Sequence, residues 1–324
     1  MSVFSTVPLA VFGPGSLYVT RIDIANQTPV NIGYAQEFSY DEAAETKELY
    51  GTNQYALVAA RGTIKATGKI KAATLSGLAL NAVFNGQSFN VGQLLMAIQE
   101  AQTIPAAVTH PTSADTASGD VLPFTSTTGV VPGMSVSGTN IPANTFVASV
   151  VANTSVTLTQ NVSGDVPNAT TITFGPSIAV TNASTFNKDL GVIYASSGLP
   201  LMYVTGSPAT GQYTYIGTGT GIGEYSFASA DATEGVLITY GYTSNTGGQT
   251  ITVKNTPIGT TPVFQIDYSS SLYGNPYYVR FFAAISSKLT RAHKLTDFVM
   301  PEVDFGFFAN SAQQVYEVSY PQVS

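Results

Sequence analysis

From Arg61 to Lys71 the chain alternates with a period of two. Arg61, Thr63, Lys65, Thr67, Lys69 and Lys71 fall on one side, and Gly62, Ile64, Ala66, Gly68 and Ile70 on the other. Only an extended strand separates odd from even residues this cleanly, so the run predicts a long strand with one wet or partner-facing side and one buried side. The buried side is built from small residues and admits close approach of another layer. The polar side fits two readings: a surface that meets a partner, or a solvated edge on which lysines guard against aggregation.

The rest of the chain follows the same logic. Stretches of β-branched and aromatic residues alternate with Gly, Pro, Ser, Thr and Asn, the pattern of an all-β protein. Strands are expected at 17–24, 189–204 (one or two), 211–242 (several paired strands), 250–254, 262–269, 277–285 and 313–320, while 33–42 carry GYAQEFSYDE ahead of a charged stretch at Glu45, Lys47 and Glu48. One amphipathic helix is expected after Ser88. There Val91, Leu94, Leu95, Ile98 and Ala101 fall at helical spacing, Asn90 and Gln93 fit a capping box, and Pro105 ends the run. Its apolar stripe, Val91, Leu94, Leu95 and Ile98, should pack on a sheet.

Between these parts the composition shifts. Residues 106–119 read as linker. Residues 120–175 have Asp120 and Asp165 as their only charges, with short strands expected at 121–125, 134–137, 145–151, 154–159 and 170–174 between Gly, Pro and Asn turns. The expected organisation is therefore a main domain in two pieces, 1–111 and 177–324, interrupted at 112–176 by linkers and an inserted small β domain with its core at 120–175.

Charge is sparse: 12 Lys plus Arg against 19 Asp plus Glu in 324 residues, a net charge of −7. Charged residues make up 10% of the chain, against about 25% in ordinary soluble proteins. Charge normally keeps single molecules apart, so this surface suits a protein that touches copies of itself. No basic residue occurs between Lys71 and Lys188, which argues against a surface that grips nucleic acid. Without cysteine, disulfides and thiolate chemistry are excluded. No window is long and apolar enough to predict a membrane-inserted helix, and the N-terminus reads as mature chain.

Tests for chemistry give little. His110 and His293 are too few for a multi-histidine metal site. The run GTGTGIG at 217–223 lacks the strand–turn–helix setting of a dinucleotide site and is expected to be a hairpin turn. Carboxylate pairs at Asp231/Glu234 and Glu302/Asp304 have no flanking motif, and no Gly-x-Ser-x-Gly elbow is present. The expectation is a non-enzyme with no cofactor and no metal. The 18 tyrosines suit a protein interface, with sugar contacts as the alternative use.

Three segments resemble the tail tube (major tail) proteins of tailed bacteriophages. The first is FSYDEAAETKELYGTNQYALVAARGTIKATGKIK from Phe38, with a Leu-Tyr-Gly turn, an Arg-Gly step and a lysine-bearing strand. The second is GQYTY…GEYSFASADATEGVLITYGYT, and the third is DFGFFANSAQQVYEVSYPQ. Residues 120–175 resemble a small β module found in phage structural proteins.

The resemblance implies a β-sandwich or barrel-like tail tube fold with a flanking helix, assembled as hexameric rings. Stacked rings form a hollow tube in the virion tail, built in the host cytoplasm, through which genomic DNA passes. Implied partners are further copies of the chain, a tail terminator, baseplate or tail-tip and tape measure proteins, and a sheath where the tail has one. It also implies an interface arm at residues 1–16 and a loop at Tyr40–Tyr50 reaching a neighbouring ring. On that basis Tyr40, Glu42, Glu45, Lys47, Glu48, Tyr50, Arg61, Lys65, Lys69 and Lys71 are candidate intersubunit contacts, the basic row meeting acids of a neighbour such as Glu42, Glu45 and Glu48. Another virion or decoration β protein, or a secreted carbohydrate-binding or adhesin module, shares the composition.

Overall fold

A computed structural model describes residues 15–72, 77–272, 275–290 and 300–319. The chain begins β1 (Ser16–Arg21), β2 (Val30–Tyr50) and β3 (Ala56–Ala72), then a helical turn α1 (Gly77–Leu80) that runs into a π turn at Asn81–Asn85. It continues β4 (Phe89–Thr103), β5 (Val108–Pro111), β6 (Val121–Pro123), β7 (Ser135–Ser137), β8 (Thr145–Val151), β9 (Ser155–Leu158) and β10 (Thr171–Phe174). Next come β11 (Ser177–Ala179), β12 (Phe186–Tyr194), β13 (Met202–Tyr203), β14 (Gln212–Tyr215), β15 (Glu224–Phe227) and β16 (Gly235–Ile251). The last are β17 (Phe264–Leu272), β18 (Asn275–Thr290), β19 (Glu302–Phe307) and β20 (Tyr316–Ser319).

The chain divides into two compact units, one holding the described residues up to Phe89 and from Ile251 onward, the other Asn90–Thr250. The break therefore lies outside the hairpin block, and 177–250 groups with that block.

In the first unit the strands run β17-β1-β2-β3-β19-β18-β20, and β17 also pairs with β18. The extra pairing closes the sheet on itself, a barrel of antiparallel strands with β20 added outside the ring. Alternate residues fill the inside: Leu17 and Val19, Phe264 and Ile266, Val279 and Phe281, Val303, Phe305 and Phe307. The small-residue side of β3 is buried as its sequence predicts only toward its end, and Ile64, expected inside, is 52% exposed. Ile70 and Ala72 are buried, and the Phe307 ring lies over Gly68. Phe307 also stacks on Phe281 at 4.0 Å between centroids.

The second unit holds three sheets, β5-β10-β7-β8-β9-β6, β11-β15-β14-β13 and β12-β16-β4. The first matches the expected hairpin block strand for strand, with one addition. Residues 106–119 are not all linker: β5 lies there and pairs with β10, and a bridge between Thr112 and Phe124 with Ser113 N–H to the Pro123 carbonyl (2.9 Å) joins the two outer strands. The block is thus ring-closed around its own core of Leu122, Phe124, Val136, Val156, Ile172 and Phe174. The 217–223 run is the turn between antiparallel β14 and β15, with positive φ at Gly219, Gly221 and Gly223.

The amphipathic helix is a correction. Val91, Leu94, Leu95 and Ile98 lie on a strand, β4, at the edge of the β12-β16-β4 sheet. Leu94, Met96 and Ile98 also satisfy a two-residue period, and pairing with a strand more than 130 residues away in sequence decides between the periods. Gly92 at φ +100° and Gln99 at φ +53° are incompatible with a helix. The helical piece lies upstream instead. Ala79 and Val83 enter the barrel core, and the Asn81 side chain accepts from the Gln87 N–H at 2.9 Å where the turn ends. Two smaller differences concern β19, which was not anticipated, and 250–254, of which only the first two residues belong to a strand, the end of β16.

Candidate functional site

The β2–β3 hairpin is longer than the barrel that holds its base. Up to Tyr40 it belongs to the core: Tyr40 packs edge-on against Phe281 at 5.2 Å, and its hydroxyl lies 3.3 Å from that of Tyr277. From Asp41 to Arg61 every residue except half-buried Ala56 is exposed, so both faces of the ribbon are open. Ten extended residues, Asp41–Tyr50, span about 33 Å. The ribbon carries Leu49, Tyr50, Tyr55, Leu57 and Val58 uncovered, with Tyr55 84% exposed and Leu49 directly opposite Val58. The sequence pointed to Tyr50 here but passed over the other four. Their signal was an apolar cluster on either side of the Gly51–Gln54 turn.

The charged candidates separate into two groups. Lys69 pairs with Glu302, and Lys71 with Glu37 at 2.9 Å, within the same chain. These two lysines therefore already have carboxylate partners. Among the described residues, Lys47, Arg61, Lys65, Glu42 and Glu45 form no ion pair, and Glu48 accepts from the Tyr50 hydroxyl. Arg61 stands opposite Thr46 and Lys65 opposite Ala43, so neither has an acid directly across the ladder. The register shifts between Ala44 and Thr46 on β2, which interrupts the alternating row between Lys65 and Arg61.

The second open surface is β4. Leu95 and Ala97 are half-buried, with Ala97 against the core, while Leu94, Met96 and Ile98 stand outward and Val91 is 88% exposed. Glu100 is the strand's only charge, and it is used internally. Burial would raise its carboxyl, but hydrogen bonds from Tyr240 (2.7 Å), the Thr181 N–H (2.9 Å) and Gln102 (2.8 Å) hold it below the usual carboxylate range. The outward row therefore has none of the lysines that guard edge strands elsewhere.

Three further acids are engaged within the fold. Asp189 accepts from the buried hydroxyls of Tyr213 (2.7 Å) and Tyr225 (2.8 Å), and burial followed by this carboxylate pushes both phenols far above their ordinary range. Asp231 accepts from Tyr194 and from the Gly211 N–H. Asp267 is held low: hydrogen bonds from Tyr278, Gln265 and Arg280 outweigh its burial. Arg280 also reaches Glu317 at 2.9 Å. Among the described residues no three His, Cys, Asp or Glu side chains cluster to hold a metal, and no helix is long and apolar enough to cross a membrane. His110 donates from Nε2 to the Thr128 carbonyl at 2.8 Å, while His293 and residues 1–14 lie outside the described residues. No protein-family model matches the chain, and no curated protein matches it.

Proposed function

We propose that this chain is a structural subunit that assembles with its own copies into stacked rings, forming a hollow tube of the phage tail kind for passage of DNA. The observation that carries this reading is the β2–β3 ribbon, open on both faces from Asp41 to Arg61 apart from Ala56. A monomer gains nothing from holding Leu49, Tyr55, Leu57 and Val58 in water. Full burial of such side chains against a partner is worth about 1.5–3 kcal/mol each, enough in sum to offset much of the cost of association.

Charge supports the same reading. Among the described residues Arg61, Lys65 and Lys47 form no ion pair with an acid, nor Glu42 and Glu45 with a base, so one ribbon complements another copy in sign. The unguarded row on β4 gives a second contact. A net charge of −7 suits a conduit, since each lysine–phosphate contact would retard DNA. In this setting the subunit resides in the virion tail and meets terminator, tail-tip and tape measure proteins at the ends and inside of the tube. Electron microscopy of the purified protein tests it: assembly into hollow tubes is expected, and loss of tubes on charge substitution at Tyr55 and Leu57 ties them to the ribbon.

A further inference from the structure

Within the second unit, a cleft of about 290 Å³ opens where the ring-closed block meets the β11-β15-β14-β13 sheet. Half-buried Phe146 and Ile216 give it an apolar floor, and the hydroxyl-bearing Thr205, Thr214 and Thr220 line it. None of the lining residues is charged. Two further lining hydroxyls are already committed: Ser226 donates to the Gly133 carbonyl, and Thr159 accepts from the Phe146 N–H. The three threonine hydroxyls have no hydrogen-bond partner in the protein among the described residues.

Thr214 is the informative one. It is 8% exposed, yet its oxygen is not among the fully enclosed unsatisfied atoms, so it borders open space, and that space is the cleft. A buried hydroxyl without a partner is costly unless something enters to bond it. On the opposite face of the same strand the Tyr215 ring packs with Tyr225 at 5.6 Å, Tyr203 at 5.3 Å and Phe186 at 5.6 Å between centroids, which anchors β14 beneath the cleft. The site is therefore fixed in advance of any ligand, and its volume lies near the lower end for small-molecule pockets.

We propose that this cleft binds one neutral sugar residue. A pyranose ring has an apolar C–H face for the Phe146–Ile216 floor and a rim of hydroxyls for Thr214, Thr205 and Thr220. A phosphate, carboxylate or ammonium ligand would lose hydration and meet no countercharge. A wholly apolar ligand would leave the Thr214 hydroxyl unpaired. An affinity with a dissociation constant on the order of 1 mM is expected for so small a ligand. The proposal does not depend on assembly into tubes.

The test is saturation-transfer NMR on the full chain with methyl glucoside, methyl galactoside and N-acetylglucosamine as neutral probes, and N-acetylneuraminic acid as the charged one. At least one neutral probe should show transfer, and the charged one none. Thr214→Val, which keeps the side-chain shape, should weaken binding about 3- to 10-fold, and Ile216→Trp should fill the cleft and abolish it. Thermal unfolding checks both variants, and Thr214→Val alone decides if the tryptophan variant does not fold. Absence of transfer from all three neutral probes, equal binding of the charged probe, or binding unchanged in folded Thr214→Val would overturn the proposal.

Discussion

The ring of Phe307 rests directly on Gly68: a Cβ built on that glycine would lie 2.7 Å from the ring and 3.1 Å from the Ser39 carbonyl. The barrel is closed at this point by absence of a side chain. Phe307 cannot retreat freely, because its other neighbour is Phe281, stacked at 4.0 Å. Gly68→Ala should therefore overpack the core and cost about 1–3 kcal/mol. Gly306→Ala, where the nearest atom is 3.9 Å away, is the control and should cost less. Urea unfolding of both variants measures the difference.

Asp189 anchors the tyrosine core of the second unit through two phenols, Tyr213 at 2.7 Å and Tyr225 at 2.8 Å. Asp189→Ala strands both hydroxyls in a buried setting and should cost about 2–5 kcal/mol. Asp189→Asn keeps an acceptor and should cost less. In alkaline ultraviolet titration of the parent, these two tyrosines should ionise only with unfolding.

Glu224 makes stability depend on pH in the opposite sense to most carboxylates. Burial raises its carboxyl above the ordinary range, and the hydrogen bond from Ser177 only partly offsets this. A raised folded value means that stability present below the unfolded pKa is lost as pH rises through the folded one. Glu224→Gln should thus stabilise the protein at pH 7, with the gain disappearing below the ordinary carboxylate range. Glu100 and Asp267, both held low, act the other way and contribute stability that is lost as pH falls. Denaturation of the parent and Glu224→Gln across acid to neutral pH separates the two effects.

The ribbon residues should affect assembly without affecting folding. Tyr55 and Leu57 are exposed, so Tyr55→Glu with Leu57→Glu should change stability by no more than about 0.5 kcal/mol per site. The same pair should abolish higher-order assembly, read by sedimentation velocity. A Lys71→Ala variant loses an ion pair internal to the chain and should assemble as the parent does.

The sequence made local punctuation legible and left long-range pairing obscure. In the hairpin block, turns such as Pro132-Gly133 and Asn153-Thr154 bracket strands so closely that each expected strand is present. β4 was misread because Val91, Leu94, Leu95 and Ile98 fit a helix while Leu94, Met96 and Ile98 fit a strand. Only its distant partner β16 breaks the tie. β19 escaped notice since Phe305-Gly306-Phe307 is short and Gly-interrupted, and its register with β3 comes from the Gly68 gap. Of the candidate contacts, the basic row was visible as a pattern. That Lys69 and Lys71 meet Glu302 and Glu37 required the fold, because Glu302 is more than 200 residues away in the chain.

Negative-stain electron microscopy of the purified full chain tests the central proposal most directly. Regular hollow tubes built of stacked six-fold rings are the predicted result. A protein that remains monomeric at every concentration and salt condition tried would contradict it.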